Sequence, residues 1–214
     1  MSKAGVQVDW REARRQSARD AIVDAAWKLV RDEGLAALSL RELAKAAGIT
    51  TPTVYAYFES KHAIYDAMFS RAATEFADRM TQPYECPDSR AVLVEGTRRF
   101  VEFCTSDVAR YQLVFQRTIP GFEPSPESFA PSVRALEATR ERLALNGVTD
   151  AHHVDMWTAL TTGLVDQQIS NDPGGDRWAR LIDEFVTIFL AYCQPRPLPA
   201  RSAKPRPTTR TARS

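Results

Sequence analysis

Cysteine is scarce in this chain: Cys86, Cys104 and Cys193 are the only three among 214 residues. Their odd number and wide spacing argue against a disulfide framework and a Cys-x-x-Cys zinc site, so all three read as reduced thiols. No apolar run reaches the roughly 18 residues of a transmembrane helix, so no membrane partner is expected. The first twenty residues are polar, carry four arginines and lack the apolar core of a signal peptide. A cytoplasmic location is therefore expected. Convincing period-two alternation is missing too, and no internal repeat is visible, which points to an all-α fold. No nucleophile–base pair, phosphate-cradling glycine loop or paired set of metal ligands appears, so neither an enzyme nor a cofactor is expected. His152 and His153 are neighbours, and adjacent helical side chains diverge by about 100°, which makes a poor chelate.

Net charge is small, +1, but unevenly placed. Residues 1–19 carry +3, residues 20–70 carry −2, residues 71–194 carry −6, and residues 195–214 carry +6 with no acidic group. A basic arm suits a segment that grips phosphate, and an acidic body suits one that stays away from it. Four parts follow: a flexible arm over 1–14, a helix-turn-helix unit over 15–60, a larger helical body over 61–194, and a disordered basic tail over 195–214. The tail holds five prolines and six basic residues and cannot bury a core. It reads either as a solvated tail or as a nonspecific DNA tether. Helices are expected at about 15–33, 40–47, 52–58, 61–80, from Ser89 to Cys104, 107–116, 127–146, 150–170 and 174–193. Gln82 to Asp88, the proline-rich stretch from Thr118 to Pro126, Asn146-Gly147 and Asp172 to Gly175 separate them.

The most informative stretch runs from Leu38 to Phe58. Ser39 and Glu42 have the spacing of a capping box, with Leu38 and Leu43 as its hydrophobic staple. Leu40, Leu43, Ala44 and Ala47 share one apolar face. Gly48 follows where a helix must stop in a left-handed residue, which glycine adopts without strain. A second short helix then opens on hydroxyls, with Thr51 as N-cap and Pro52 in the first helical position. Val54 and Phe58 face the first helix, while Pro52, Thr53, Ala56 and Tyr57 point away and Tyr55 flanks the core. This is the layout of a helix-turn-helix whose second helix enters the DNA major groove. A plain helical corner is the alternative. Thr50, Thr51, Pro52 and Thr53 are small enough for close approach to base edges, Tyr55 and Tyr57 suit phosphates, and Lys61 opens the next helix as a phosphate ligand.

The neighbouring segments extend the pattern. An amphipathic helix stopped by Gly34, then "SLRELAKAAGI", "TVYAYF" and "SKHAIY", stand in order. Over roughly residues 15–66 the chain resembles the amino-terminal domain of the TetR family of bacterial transcriptional regulators. The resemblance implies a three-helix DNA-binding domain followed by a larger helical domain that dimerises and binds a small effector. It implies DNA contact at Thr51, Pro52, Thr53, Tyr55, Tyr57, Lys61 and Arg41, and Arg15 and Arg19 are expected at the backbone or minor groove. Ala56 departs from the pattern, standing where many relatives carry a larger side chain. With no Arg, Asn or Gln between Thr51 and Phe58, specificity is left to Arg41, methyl contacts and DNA shape.

The expected partners are a double-stranded DNA operator, a second copy of the chain and an unknown small apolar effector. For the dimer, Leu160, Leu164, Trp178, Leu181, Ile182, Phe185 and Phe189 make two strongly apolar helices near the C-terminus that suit an intersubunit four-helix bundle; an internal core is the other reading. For the effector, Phe100, Phe103, Cys104, Tyr111, Phe115, Phe122 and Trp157 could line an apolar cavity or be plain core. The expected function is a repressor released by its effector from an inverted-repeat operator. Activation, or DNA binding by a dimer with no effector, is the alternative.

Overall fold

The computed structural model describes residues 10–194, and the described part is all helix and loop. The basic tail and residues 1–9 of the expected arm lie outside the described residues. Helix α1 covers Trp10–Glu33, so residues 10–14 are helical rather than part of a loose arm. Its buried face is Ile22, Val23, Ala26, Trp27, Leu29 and Val30. Helix α2 is Leu40–Ala46 and α3 is Thr51–Tyr57. Helix α4, Lys61–Thr81, is the axis of the molecule. Then come α5 (Ser89–Thr105), α6 (Val108–Phe115), α7 (Pro126–Ala144), α8 (Ala151–Asn171) and α9 (Ile182–Cys193).

Two cores meet on α4. Ile64, Tyr65, Met68, Phe69, Ala72 and Ala73 pack with α1, α2 and α3. Further along the same helix, Phe76, Ala77 and Met80 pack with α5, α7, α8 and α9. The short helix α6 also serves both, with Ala109 and Leu113 in the first core and Tyr111 in the second. A displacement inside the larger core therefore reaches the smaller one through two helices, because close-packed interiors transmit strain.

Caps fix where the helices begin, and two lie one residue earlier than the sequence suggests. The α3 cap is Thr50, not Thr51; its hydroxyl accepts from Thr53 N–H at 3.3 Å. The α5 cap is Asp88, not Ser89, and its carboxylate accepts from Ala91 N–H at 2.8 Å. The last helix starts at Ile182 rather than near 174, after a short 3-10 turn over Ala179–Leu181. Gln168, buried on α8, holds the intervening loop open. Its side-chain oxygen accepts from Trp178 N–H at 2.9 Å and Ala179 N–H at 3.1 Å, and its amide donates to the Gly175 carbonyl at 3.1 Å.

Candidate functional site

The α2–α3 corner is built by backbone hydrogen bonds. Ser39 caps α2, its hydroxyl accepting from Glu42 N–H at 3.2 Å. The Glu42 carboxylate lies 4.0 Å from Lys45 Nζ. At the other end Gly48 adopts φ +68°. Gly48 N–H reaches the Lys45 carbonyl at 3.2 Å and Ile49 N–H reaches the Ala44 carbonyl at 2.9 Å. That pair of bonds is a Schellman motif, and a side chain at Gly48 would strain it. It delivers Thr50 in extended geometry, ready to cap α3.

Leu43, Ala44, Val54 and Phe58 are buried in the corner, which leaves one face of α3 bare. Pro52, Tyr55 and Ala56 are exposed, and Tyr55 is 54% exposed. Thr51, Thr53 and Tyr57 are half-buried. Tyr57, rather than Tyr55, flanks the core. The Thr50 and Thr53 hydroxyls lie 2.8 Å apart. Arg41 is exposed on α2, and Lys61, half-buried at the start of α4, has Nζ 5.4 Å from the Tyr65 ring centroid. Ser60 caps α4, accepting from Ala63 N–H at 3.0 Å. Arg15 is exposed on α1. Arg19 is partly committed inside the domain: Nη1 donates to the Tyr57 carbonyl at 2.5 Å, and its guanidinium carbon sits 4.3 Å from the Phe58 ring centroid. Tyr65 anchors the underside, donating to the Leu35 carbonyl at 2.6 Å, and burial raises its phenol pKa. Helix α3 carries no charged side chain. The arrangement offers small and aromatic groups to base edges and sugars, with cations at its rim for phosphates.

Arg71 ties α4 to α1 through Asp20 at 3.1 Å and through Asp24. Arg31 on α1 meets Asp107, the α6 cap, at 2.8 Å. Buried Arg110 on α6 meets Glu75 on α4 at 2.6 Å. Asp66 on α4 accepts from Ser125 N–H at 2.6 Å, Ser125 Oγ at 3.0 Å and Ser128 Oγ at 2.8 Å, which fixes the start of α7.

A cavity of about 340 Å³ opens into the larger core between α4, α5, α6, α7 and α8. Phe100, Phe115 and Trp157 line it. Phe103, Cys104 and Tyr111 do not. They are fully packed elsewhere in the core, because the α5 and α6 faces that carry them turn away from the opening. Burial pushes the Cys104 thiol pKa well up, which makes it an inert thiol. Tyr111 donates to Asp166 at 2.7 Å, and burial, then Asp166, raise its pKa. Phe122 lines an adjoining space of about 530 Å³ under the 116–126 loop. The two spaces share Val114, Phe115 and Phe129. Sequence reasoning missed Gly96, Thr97, Thr139, Arg142, Thr158, Thr161 and Thr162 on the wall. Apart from Arg142, their signal was small and hydroxylic residues interrupting otherwise apolar helix faces.

Of the residues expected at a dimer seam, Ile182 and Phe189 are 2% and 3% exposed within one protomer, so they belong to its own core. They lie on the side of α9 that packs inward with Val186. Leu160 and Leu181 are exposed, and Leu164, Trp178 and Phe185 are half-buried. Ile188 and Tyr192, 63% and 59% exposed, extend the same apolar stripe.

The family model for bacterial regulatory proteins of the tetR family matches residues 22–68, the segment that builds the corner. The transcriptional activator FasR of Mycolicibacterium smegmatis is 28% identical over 156 residues, covering 71% of this chain and 68% of its own. The chain spans about a third of the length of the first curated relatives it matches, helix-turn-helix-type regulators of Mycobacterium tuberculosis that are 42% identical over 64 residues. The fold is that of a tetR-family regulator from Streptomyces coelicolor, with TM-score 0.65 and 24% identity over 82% of this chain and 80% of that one. It is also that of FadR from Bacillus subtilis, solved in complex with stearoyl-CoA, with TM-score 0.59 and 18% identity over 80% and 97% of the two chains. The corner and the match across it agree: residues 22–68 carry the segment shared by bacterial regulatory proteins of the tetR family, and the chain has the fold of a solved tetR-family regulator.

Proposed function

We propose that the chain is a DNA-binding transcriptional regulator that places α3 in the major groove and acts as a dimer. The observation that carries this reading is the bare face of α3. Pro52, Tyr55 and Ala56 are exposed on a helix whose other face is buried, with cations exposed on α2 (Arg41) and half-buried at the start of α4 (Lys61). Tyr55, Tyr57 and Lys61 hold phosphates; Thr51, Pro52 and Thr53 meet base edges, with Arg41 beside them. Thr50 supports the start of the helix as its cap. Arg15 reaches the backbone from α1, while Arg19 mainly sets the position of α3. A second copy docks through the exposed stripe of Leu160, Leu181, Ile188 and Tyr192, with Leu164, Trp178 and Phe185 at its margin. Gly163 faces open space within the protomer and allows close approach of the partner. Two-fold symmetry then sets the two reading heads about one DNA turn apart, roughly 34–36 Å.

The cavity is the effector site, and regulation is a population shift. A ligand between α5, α7 and α8 favours one setting of α4 and α6, which both cores share. The setting that fits the cavity ligand spoils the spacing of the two α3 helices, so the chain represses until its effector arrives. A relative named as an activator, 28% identical, supports the second reading, in which the same shift promotes binding. Footprinting on the DNA upstream of the chain's own coding sequence tests the proposal. It is expected to show two symmetric protected half-sites about one turn apart. Uniform weak protection along the whole fragment overturns it.

A further inference from the structure

The cavity has two chemically different ends. On α7 its wall is Phe129, Ser132, Ala135, Leu136, Thr139 and Arg142, successive residues of one helix face. At 1.5 Å per residue, Phe129 and Arg142 lie roughly 20 Å apart along the axis. The aromatic part of the wall is Phe129 together with Phe76, Phe100 and Phe115, the last three meeting one another at 5.1–6.0 Å between ring centroids. Against Arg142 lie Thr139 and Gly96. A Cβ on Gly96 would lie 2.8 Å from Arg142 Nε, so glycine here makes room for the guanidinium.

Arg142 is only 5% exposed and makes no ion pair among the described residues. Nη1 donates to the Met80 carbonyl at 2.8 Å and Nη2 to the Thr139 hydroxyl at 2.9 Å. Neutral acceptors satisfy part of a five-donor group and leave it without an ion-paired carboxylate among the described residues. The other charged or titratable groups acting on it are Tyr84, Arg99 and Glu141. Tyr84 lies with its ring centroid 5.4 Å from the Arg142 guanidinium and 4.0 Å from that of Arg99, a second cation. Glu141 is exposed and raises the Arg142 pKa without forming an ion pair with it. Burial holds the Arg142 pKa below the usual arginine range. Arg110, the other buried arginine, differs in having its own counterion, Glu75. Ser132 adds a buried hydroxyl on the same wall with no hydrogen-bond partner.

We propose that the effector is an amphiphilic carboxylate, with its headgroup on Arg142 and its apolar tail along α7 toward Phe115 and Phe129. This rests on the reading of the cavity as the effector site. The guanidinium supplies charge-assisted N–H donors matched to a carboxylate, and the tail covers the aromatic wall. The ligand then supplies the counterion that the fold withholds.

The test compares hexanoate, decanoate and tetradecanoate with hexanol, decanol and tetradecanol by calorimetric titration of the full chain. The best carboxylate is expected to bind about ten- to a hundred-fold more tightly than its alcohol, the range of a hydrogen bond to a charged group. Arg142→Met is expected to abolish that ratio, and Arg142→Lys to keep most of it. Because the ratio is taken within each protein, a general loss of affinity does not mimic the result. Should Arg142→Met fail to fold, the carboxyl-carbon NMR titration of bound decanoate in the wild type decides, with a carboxyl pKa below its free value expected. Alcohols binding as well as carboxylates overturns the proposal and leaves the cavity reading standing. Neither class binding overturns both.

Discussion

Arg19 on α1 holds the last turn of α3 from beneath: its Nη1 donates to the Tyr57 carbonyl at 2.5 Å while the guanidinium lies over the Phe58 ring. The bond satisfies a carbonyl that the helix end leaves without an intrahelical donor. Arg19→Ala is expected to cost about 1–3 kcal/mol of stability, from a charge-assisted hydrogen bond and a cation–π contact. Arg15→Ala is expected to cost almost nothing, since Arg15 is exposed. Urea midpoints of the two variants check this. If Arg19 served only to touch phosphate, both midpoints would stay at the wild-type value.

Thr50 and Thr51 separate cleanly by mutation. The Thr50 hydroxyl accepts from Thr53 N–H, and Thr51 is already inside the helix. Thr50→Ala is expected to lose about 1 kcal/mol of stability, the usual cost of an N-cap. Thr51→Ala is expected to leave thermal stability near wild type and to act on DNA affinity alone. Differential scanning calorimetry beside a gel shift distinguishes them.

Asp66 joins the helix that leaves the DNA-binding unit to the helix that lines the cavity. Its carboxylate gathers three donors from Ser125 and Ser128. Asp66→Ala leaves those donors without their acceptor and is expected to cost about 1–3 kcal/mol. In the proposed mechanism it also uncouples the two sites. Ligand affinity, read by calorimetry, is expected to stay close to wild type, while the ligand-induced change in DNA affinity shrinks. An unchanged ligand effect on DNA binding would move the coupling onto α6 alone.

Alkaline pH should loosen the larger core. Cys104 and Tyr111 are held above their ordinary values of 9.0 and 10.0, first by burial and for Tyr111 also by its bond to Asp166. Both lose a proton on ionising, so the folded chain keeps that proton to higher pH than the unfolded chain. The stability they contribute is complete below about pH 9 and is lost as pH rises through their folded values. The urea midpoint is expected to fall above pH 9, and to fall less in a Cys104→Ala, Tyr111→Phe double variant. Parallel curves for the two proteins would contradict the assignment.

Where side chains act locally, the sequence was legible. Ser39, Gly48 and Ser60 announce their roles because a cap or a left-handed stop depends on a few adjacent atoms. Thr50 and Thr51 were interchangeable on chemistry, and only the Schellman geometry at Gly48 and Ile49 decides between them. The α9 start was hidden because it depends on Gln168, fourteen residues earlier than Ile182, holding Trp178 and Ala179 by their N–H groups. Phe100 and Phe103 share α5 and look alike in sequence, yet one faces the cavity and the other the Arg110 guanidinium, 3.9 Å from its ring centroid. Which face of a buried helix meets a void depends on all the helices around it. Ile182 and Phe189 show the same limit on α9: apolar periodicity marks a buried face without saying whether the partner is the same chain or another copy.

The claim on which the rest depends is that the bare face of α3 reads DNA. Fluorescence anisotropy with a duplex from the upstream region and a scrambled duplex of equal composition tests it most directly. The wild type is expected to prefer the upstream duplex, with an affinity that falls steeply as salt rises. Tyr55→Ala with Lys61→Ala, both outside the buried core, is expected to lose most of that affinity while keeping the wild-type urea midpoint. Undiminished preference in this folded double variant would contradict the account.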